Sequence, residues 1–172
     1  FGFLNSNPAA IAVQESALTV QPRQSISLVG GNDGFKVGNL SVPDGVTVVG
    51  GYLSASGGQI NITSVASPGE ILAGSLNQTS NISGQSFGAL GEVRMSKSTI
   101  ENTGEGGETI LIRGGRLVID NSTIVANTAD ITLSATSNLI TTTQLGTRTA
   151  TAANAGHVTL EASGDINIDS SL

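Results

Sequence analysis

The chain has 172 residues, a net charge of −6 and a pI near 4.5, with 23 Gly, 21 Ser, 18 Thr and 13 Asn but only two Lys. Such an acidic balance argues against a phosphate-binding surface or an anionic membrane face. The scarcity of Glu, Lys and Arg argues against a helical bundle, and zero Cys excludes disulfides and thiol chemistry.

Read from the start, Phe1-Gly2-Phe3-Leu4 has neither Met nor a charged leader, so the chain is expected to begin inside a longer precursor. Residues 1–15 differ from the rest of the chain and are expected to form a cap or junction, with Phe1, Phe3 and Leu4 over an open end. Next come short runs that alternate apolar and polar: Leu18-Thr19-Val20, Ile26-Ser27-Leu28 and Val46-Thr47-Val48. Period two gives a strand one buried face and one wet face. Ile131-Thr132-Leu133 and Val158-Thr159-Leu160 continue the pattern, and no segment carries apolar residues at helical spacing.

One phrase recurs: Gly, any residue, apolar, any residue, apolar. It begins at Gly38, Gly58, Gly91, Gly115 and Gly164. The intervals of 20, 33, 24 and 49 residues read as one turn, one turn with an insertion, one turn and two turns. Val93-Arg94-Met95-Ser96-Lys97-Ser98-Thr99-Ile100 lies over Leu117-Val118-Ile119-Asp120-Asn121-Ser122-Thr123-Ile124 at an offset of 24.

A β-sandwich explains the alternation but gives no reason for the phrase to return one turn later. A parallel β-helix (β-solenoid) explains both, because equivalent side chains stack inside successive turns. The expected fold is therefore all-β: about seven turns of 20–25 residues, with 1–172 as one segment. Val93, Leu117 and Ile166 form one inward ladder; Met95, Ile119 and Ile168 form another; Ser98, Ser122 and Ser171 stack at a corner. Residues 66–90 and 134–156 are expected as irregular or inserted turns, and further turns are expected to follow 164–171. Few aromatics are available for a wide core, which suits a narrow interior of Val, Ile and Leu.

Several residues invite a chemical reading. A hydrolase needs two or three facing carboxylates, and Asp120 and Asp169 hold equivalent repeat positions but lie two turns apart, roughly 10 Å. Glu101, Glu105 and Glu108 read as a solvated acidic loop, with weak Ca²⁺ binding as the alternative and Arg113 and Arg116 as ion-pair partners. His157 stands alone at the start of a strand, on the outward phase, with no Ser/His/Asp context and no second ligand for Zn²⁺. The Gly pairs are turn devices and lack a phosphate-loop ending. Thr141 to Thr151 crowd into one interval, unlike an ice-binding array, and the sequons at Asn39, Asn61, Asn77, Asn81 and Asn121 are ascribed to composition. Tyr52 and Phe87 are read as interior or cap contacts, with stacking on a sugar ring as the alternative if exposed. No catalytic, cofactor-binding or metal residue is assigned.

The order of several stretches has a counterpart in a known family. Phe1-Gly2-Phe3-Leu4-Asn5-Ser6-Asn7-Pro8, Ser25-Ile26-Ser27-Leu28-Val29-Gly30-Gly31, Gly38-Asn39-Leu40-Ser41-Val42-Pro43 and Ile112 to Ser122 resemble filamentous-haemagglutinin-like exoproteins of two-partner secretion systems. The resemblance spans nearly the whole chain and implies a right-handed parallel β-helix in a secreted, bacterial cell-surface adhesin. It implies no enzyme activity and no cofactor. An unknown surface glycan or protein would be the partner; the acidic balance argues against nucleic acid, and no apolar run approaches the ~20 residues of a membrane span, so no membrane insertion is expected. The family's secretion domain, with its Asn-Pro-Asn-Gly type signature, is not in these residues. An outer-membrane transporter would therefore be a partner of the full-length protein only. The rival reading is a carbohydrate-binding or polysaccharide-degrading β-helix protein.

Overall fold

The computed structural model describes residues 2–5, 8–71, 87–104, 106, 109–141, 144–148 and 156–168. The fold is all-β, built of repeating parallel sheets with a β-solenoid-like repeat. The first sheet stacks β2 (Ile11–Gln14), β7 (Val46–Val49), β11 (Glu92–Ser96), β14 (Arg116–Asp120), β17 (Leu139–Thr141) and β20 (Ile166–Ile168). The second stacks β3 (Ala17–Thr19), β8 (Tyr52–Ser54), β12 (Thr99–Asn102), β15 (Thr123–Asn127) and β18 (Gln144–Arg148). The third stacks β4 (Ile26–Gly31), β9 (Ile60–Val65), β13 (Ile110–Gly114), β16 (Ile131–Ala135) and β19 (Val158–Ala162). The chain visits the three sheets in fixed order. Among the described residues it completes five such rounds and opens a sixth, rather than the seven expected.

The shortfall has a local cause. The first-sheet ladder Ile11, Val46, Val93, Leu117, Leu139, Ile166 steps by 35, 47, 24, 22 and 27 residues. The two long steps contain excursions at one corner, between the third sheet and the next first-sheet strand. One is the antiparallel hairpin of β5 (Phe35–Val37) and β6 (Leu40–Val42). The other, after β9, holds β10 (Gly69–Glu70), paired antiparallel with β1 (Gly2–Phe3). So the Gly38 phrase builds a hairpin outside the repeat, and the Gly58 phrase opens a third-sheet strand. Only those at Gly91, Gly115 and Gly164 precede equivalent strands.

The expected ladders are present. Val93 pairs with Leu117 and Met95 with Ile119; Leu139 and Thr141 then link them to Ile166 and Ile168. Inward residues of all three sheets make one cluster in which Val46, Val48, Leu53, Ile60, Ile62, Met95, Ile100, Ile112, Leu117 and Ile124 are fully buried. β-Branched and Leu side chains suit this interior, because each must pack on its equivalent one coil away. Thr141 is the odd member: it is fully buried, and its hydroxyl has no hydrogen-bond partner among the described residues. A buried hydroxyl without a partner costs about 1–3 kcal/mol. Thr141→Val is therefore expected to raise the thermal midpoint, with a stability gain of about 1 kcal/mol in urea melts; a loss would contradict this assignment.

The first corner explains why the coils stay in register. Glu15, Gly50, Lys97 and Asn121 each follow a first-sheet strand, and all four adopt positive φ, from 43° to 61°. This left-handed residue turns the chain in a minimum of length. Its backbone N–H donates to the coil above: Glu15 to Val49 O, Gly50 to Ser96 O and Lys97 to Asp120 O, at 2.9, 2.9 and 3.1 Å. Ser98 and Ser122 come next and are buried, as the corner stack required. The Ser98 hydroxyl accepts from Gly51 N and donates to carbonyl oxygens, while Ser122 Oγ accepts from Ser98 N at 3.2 Å. Ser171 lies outside the described residues.

At the second corner Asn102, fully buried, accepts from Gly57 N at 3.0 Å and donates to Gly58 O at 2.6 Å. Asn102→Ala is expected to cost about 1–3 kcal/mol in chemical unfolding, because it strands both backbone groups.

Of residues 1–15, β1 pairs with β10 and β2 joins the first sheet. Phe3 meets Phe87 edge-on at 5.9 Å in a small cluster with Val29, Val65, Ile71 and Leu90. Leu4 is exposed, and Phe1 lies outside the described residues. The interval 134–156 contains the end of β16 and all of β17 and β18; much of 66–90, from 72 to 86, lies outside the described residues.

Candidate functional site

Outward positions of the second sheet carry the most distinctive side-chain group. In β8, Leu53 points into the core and is fully buried, so Tyr52 and Ser54 point outward. Parallel register places Tyr52 beside Ala17 of the coil below and Thr99 of the coil above. Ser54 is likewise flanked by Thr19 and Glu101. The Tyr52 hydroxyl donates to Glu101 Oε1, and Ser54 Oγ donates to the same oxygen at 3.5 Å. The second carboxylate oxygen takes no partner among the described residues. Tyr52 is 37% exposed, so it is no interior contact: the strand phase puts its ring on the surface. Phe87 does follow the contact reading, in the small cluster beside Phe3.

The hydrogen bond to Glu101 is the chief cause of a raised Tyr52 pKa, since ionising the phenol would remove the donor. Stability linked to this bond is present below the ordinary value of 10.0 and is lost as pH rises through the folded-state value. The chain has one Tyr and no Trp, so phenolate absorbance reports this site alone. The wild-type titration midpoint should lie above 10.0 and fall in Glu101→Gln. Equal midpoints would contradict the contact.

The remaining residues of interest do not join this group. Glu105 and Glu108 lie outside the described residues, so the loop cluster around Glu101 is described only at Glu101 itself. Among the described residues Arg116 pairs with Glu92 and not with Glu101: Arg116 Nη1 lies 3.1 Å from Glu92 Oε2, and Arg94 Nη2 lies 2.7 Å from Glu92 Oε1. The reason is the first-sheet register, which sets Glu92 directly beneath Arg116. Arg113 sits on β13 in the third sheet. Asp120 closes β14 at an exposed position, and Asp169 lies outside the described residues.

His157 is outward and largely exposed, as its strand phase required. Its backbone N–H donates to Asp130 Oδ1 at 2.8 Å, and its Nδ1 lies 3.4 Å from the same oxygen. The backbone bond is the main reason the Asp130 carboxyl titrates below its ordinary range. This pair joins two successive coils where they enter the third sheet.

Of the Thr run, Thr141 faces the core and Thr147 lies in β18; Thr142, Thr143, Thr149 and Thr151 lie outside the described residues. Asn39 and Asn121 are exposed, Asn61 is fully buried, and Asn77 and Asn81 lie outside the described residues. Among the described residues, no three His, Cys, Asp or Glu side chains gather to hold a metal. No helix among them is long and apolar enough to cross a membrane.

Sequence reasoning singled out Tyr52 and Glu101 separately but did not join them. The signal available was the offset of 47 between Val46 and Val93, which also carries Tyr52 onto Thr99 and Ser54 onto Glu101. No family model, curated protein or solved structure matches the chain.

Proposed function

We propose that the chain is a segment of a secreted, right-handed parallel β-helix that extends a rod at a bacterial cell surface and mediates adhesion or aggregation. The division of labour along each strand supports this reading most directly. Inward residues are given over to a continuous apolar stack, and corner residues to backbone bonding, so the outward faces are free to vary. The resemblance to filamentous-haemagglutinin-like exoproteins points the same way, with export of the full-length protein through an outer-membrane partner. In this reading the segment acts by binding and by length, not by turnover.

The test is attachment. Beads coated with the folded segment are expected to bind bacterial or host cells saturably, above beads coated with heat-denatured segment. Attachment no greater than that of the denatured control would overturn the adhesive reading. A second reading, carbohydrate binding, is favoured by one observation: an exposed aromatic ring held against a carboxylate.

A further inference from the structure

We propose that Tyr52 and Glu101 form a binding site for a neutral pyranose ring whose hydroxyls are equatorial, on the outward face of the second sheet. The inference rests on the surface-adhesion reading and names the chemistry of its ligand.

The ring of Tyr52 stands 37% exposed and is flanked by Ala17, itself exposed and too short to cover it. Its hydroxyl is committed to Glu101, which removes the freedom of the ring to turn away. The contact face is thus set before any ligand arrives, and the ordering cost of binding falls. A pyranose with equatorial hydroxyls presents an axial C–H face that packs on an aromatic ring, with its hydroxyls around the rim.

Glu101 supplies the polar half of the site. The hydrogen bonds from Tyr52 and Ser54 both fall on Oε1, and Oε2, with no partner among the described residues, can accept a hydroxyl from a sugar seated on the ring. Thr19 and Thr99 occupy outward positions on either side and add groups that both donate and accept. Charge selects the ligand class. Glu101 lies at the centre and the chain carries −6 overall, so uronate and sulfated glycans are repelled while neutral sugars are not. A peptide strand finds no open edge on β8 or β12, which carry Tyr52 and Glu101 and are each paired on both sides; the outer strand of the sheet here is β3.

The test uses the lone tyrosine. With one Tyr and no Trp, intrinsic fluorescence reports Tyr52 directly. Cellohexaose and laminarihexaose are the probes, with hexagalacturonate and hexalysine as the anionic and cationic contrasts. A saturable change with at least one glucan is expected, with a Kd of about 1 mM for a single aromatic contact. Amide shifts of Leu18, Leu53 and Ile100 should move with it. In Tyr52→Ala and Glu101→Gln, followed by those amide shifts, affinity should fall about tenfold. Melting midpoints of both variants serve to show that the coils persist. No glucan response up to about 10 mM, unchanged affinity in folded Tyr52→Ala, or binding of hexagalacturonate or hexalysine in place of the glucans would overturn the site. Beads coated with Tyr52→Ala separate the two ideas. If the wild type binds no glucan while Tyr52→Ala and wild-type beads attach to cells equally, the sugar site fails and the adhesive reading stands.

Discussion

Leu117→Asp is expected to unfold several coils at once. Leu117 is fully buried in the middle of the first-sheet ladder, between Val93 and Leu139. Truncation to Ala at such a site removes about 2–5 kcal/mol through lost burial and a cavity. Asp adds the cost of placing a carboxylate, or a protonated acid without a partner, in an apolar interior. The sum is comparable to the whole stability of an ordinary domain, about 5–15 kcal/mol. The damage spreads, because each coil buries its inward face only against its neighbours. Hydrogen exchange should therefore show lost protection at Met95, Ile119 and Thr141 together. Leu117→Met, which keeps the volume, should cost less than about 1.5 kcal/mol. An unchanged melting midpoint in Leu117→Asp would contradict the ladder.

The second large effect is expected from a glycine. Gly45 has φ of 88° and enters β7 directly beneath Glu92 of the next coil. A Cβ built there would overlap the carbonyl oxygen of Glu92. Ala thus meets two penalties, an unfavourable backbone angle and a collision with backbone that cannot swing aside. Gly45→Ala should lower stability by about 2–4 kcal/mol in urea melts. Gly38, also at positive φ but open on the Cβ side, is the control. Gly38→Ala should cost only the backbone penalty, about 1–2 kcal/mol. If both substitutions cost the same, the close stacking of coils at Gly45 is wrong.

Much of this architecture was legible because identical side-chain needs recur one coil later. Val93, Leu117 and Ile166 share a ladder because the same inward space must be filled each time, and the 49-residue interval does hold two coils. The intervening member, Leu139, was missed. Ser137 stands where the phrase has Gly, and Thr141 stands where the second apolar residue was sought. The Gly38 and Gly58 phrases misled for the opposite reason. A glycine before an alternating strand is what any strand entry needs, so local pattern did not tell a hairpin or third-sheet strand from a first-sheet one. The count of turns failed with it, since two excursions consume chain without adding coils.

At the corners, the stacked serines were visible in the repeat, whereas the left-handed Glu15 and Lys97 were not. Neither residue type signals positive φ; only Asn121 and Gly50 in that column do. Tyr52 shows the same limit at the candidate site. Its outward phase follows from Leu53 beside it, yet its partner Glu101 lies 49 residues away, across an excursion that hid the register. Arg116 was likewise set on Glu92 by stacking across 24 residues, not by nearness to the acidic loop, while Arg94 reaches Glu92 from two residues along the same strand.

The parallel stack is tested most directly by proton–proton NOEs in the folded segment. Strand pairs across the three sheets should give amide-to-Hα contacts between neighbours such as Arg94 and Val118, Val118 and Ile140, and Leu111 and Thr132. Opposed Hα protons in these pairs should give no strong cross-peaks, because parallel strands hold them apart. Strong Hα–Hα cross-peaks between β11 and β14, or between β13 and β16, would mean antiparallel pairing and would contradict the coil, its ladders and the placement of Tyr52 beside Glu101.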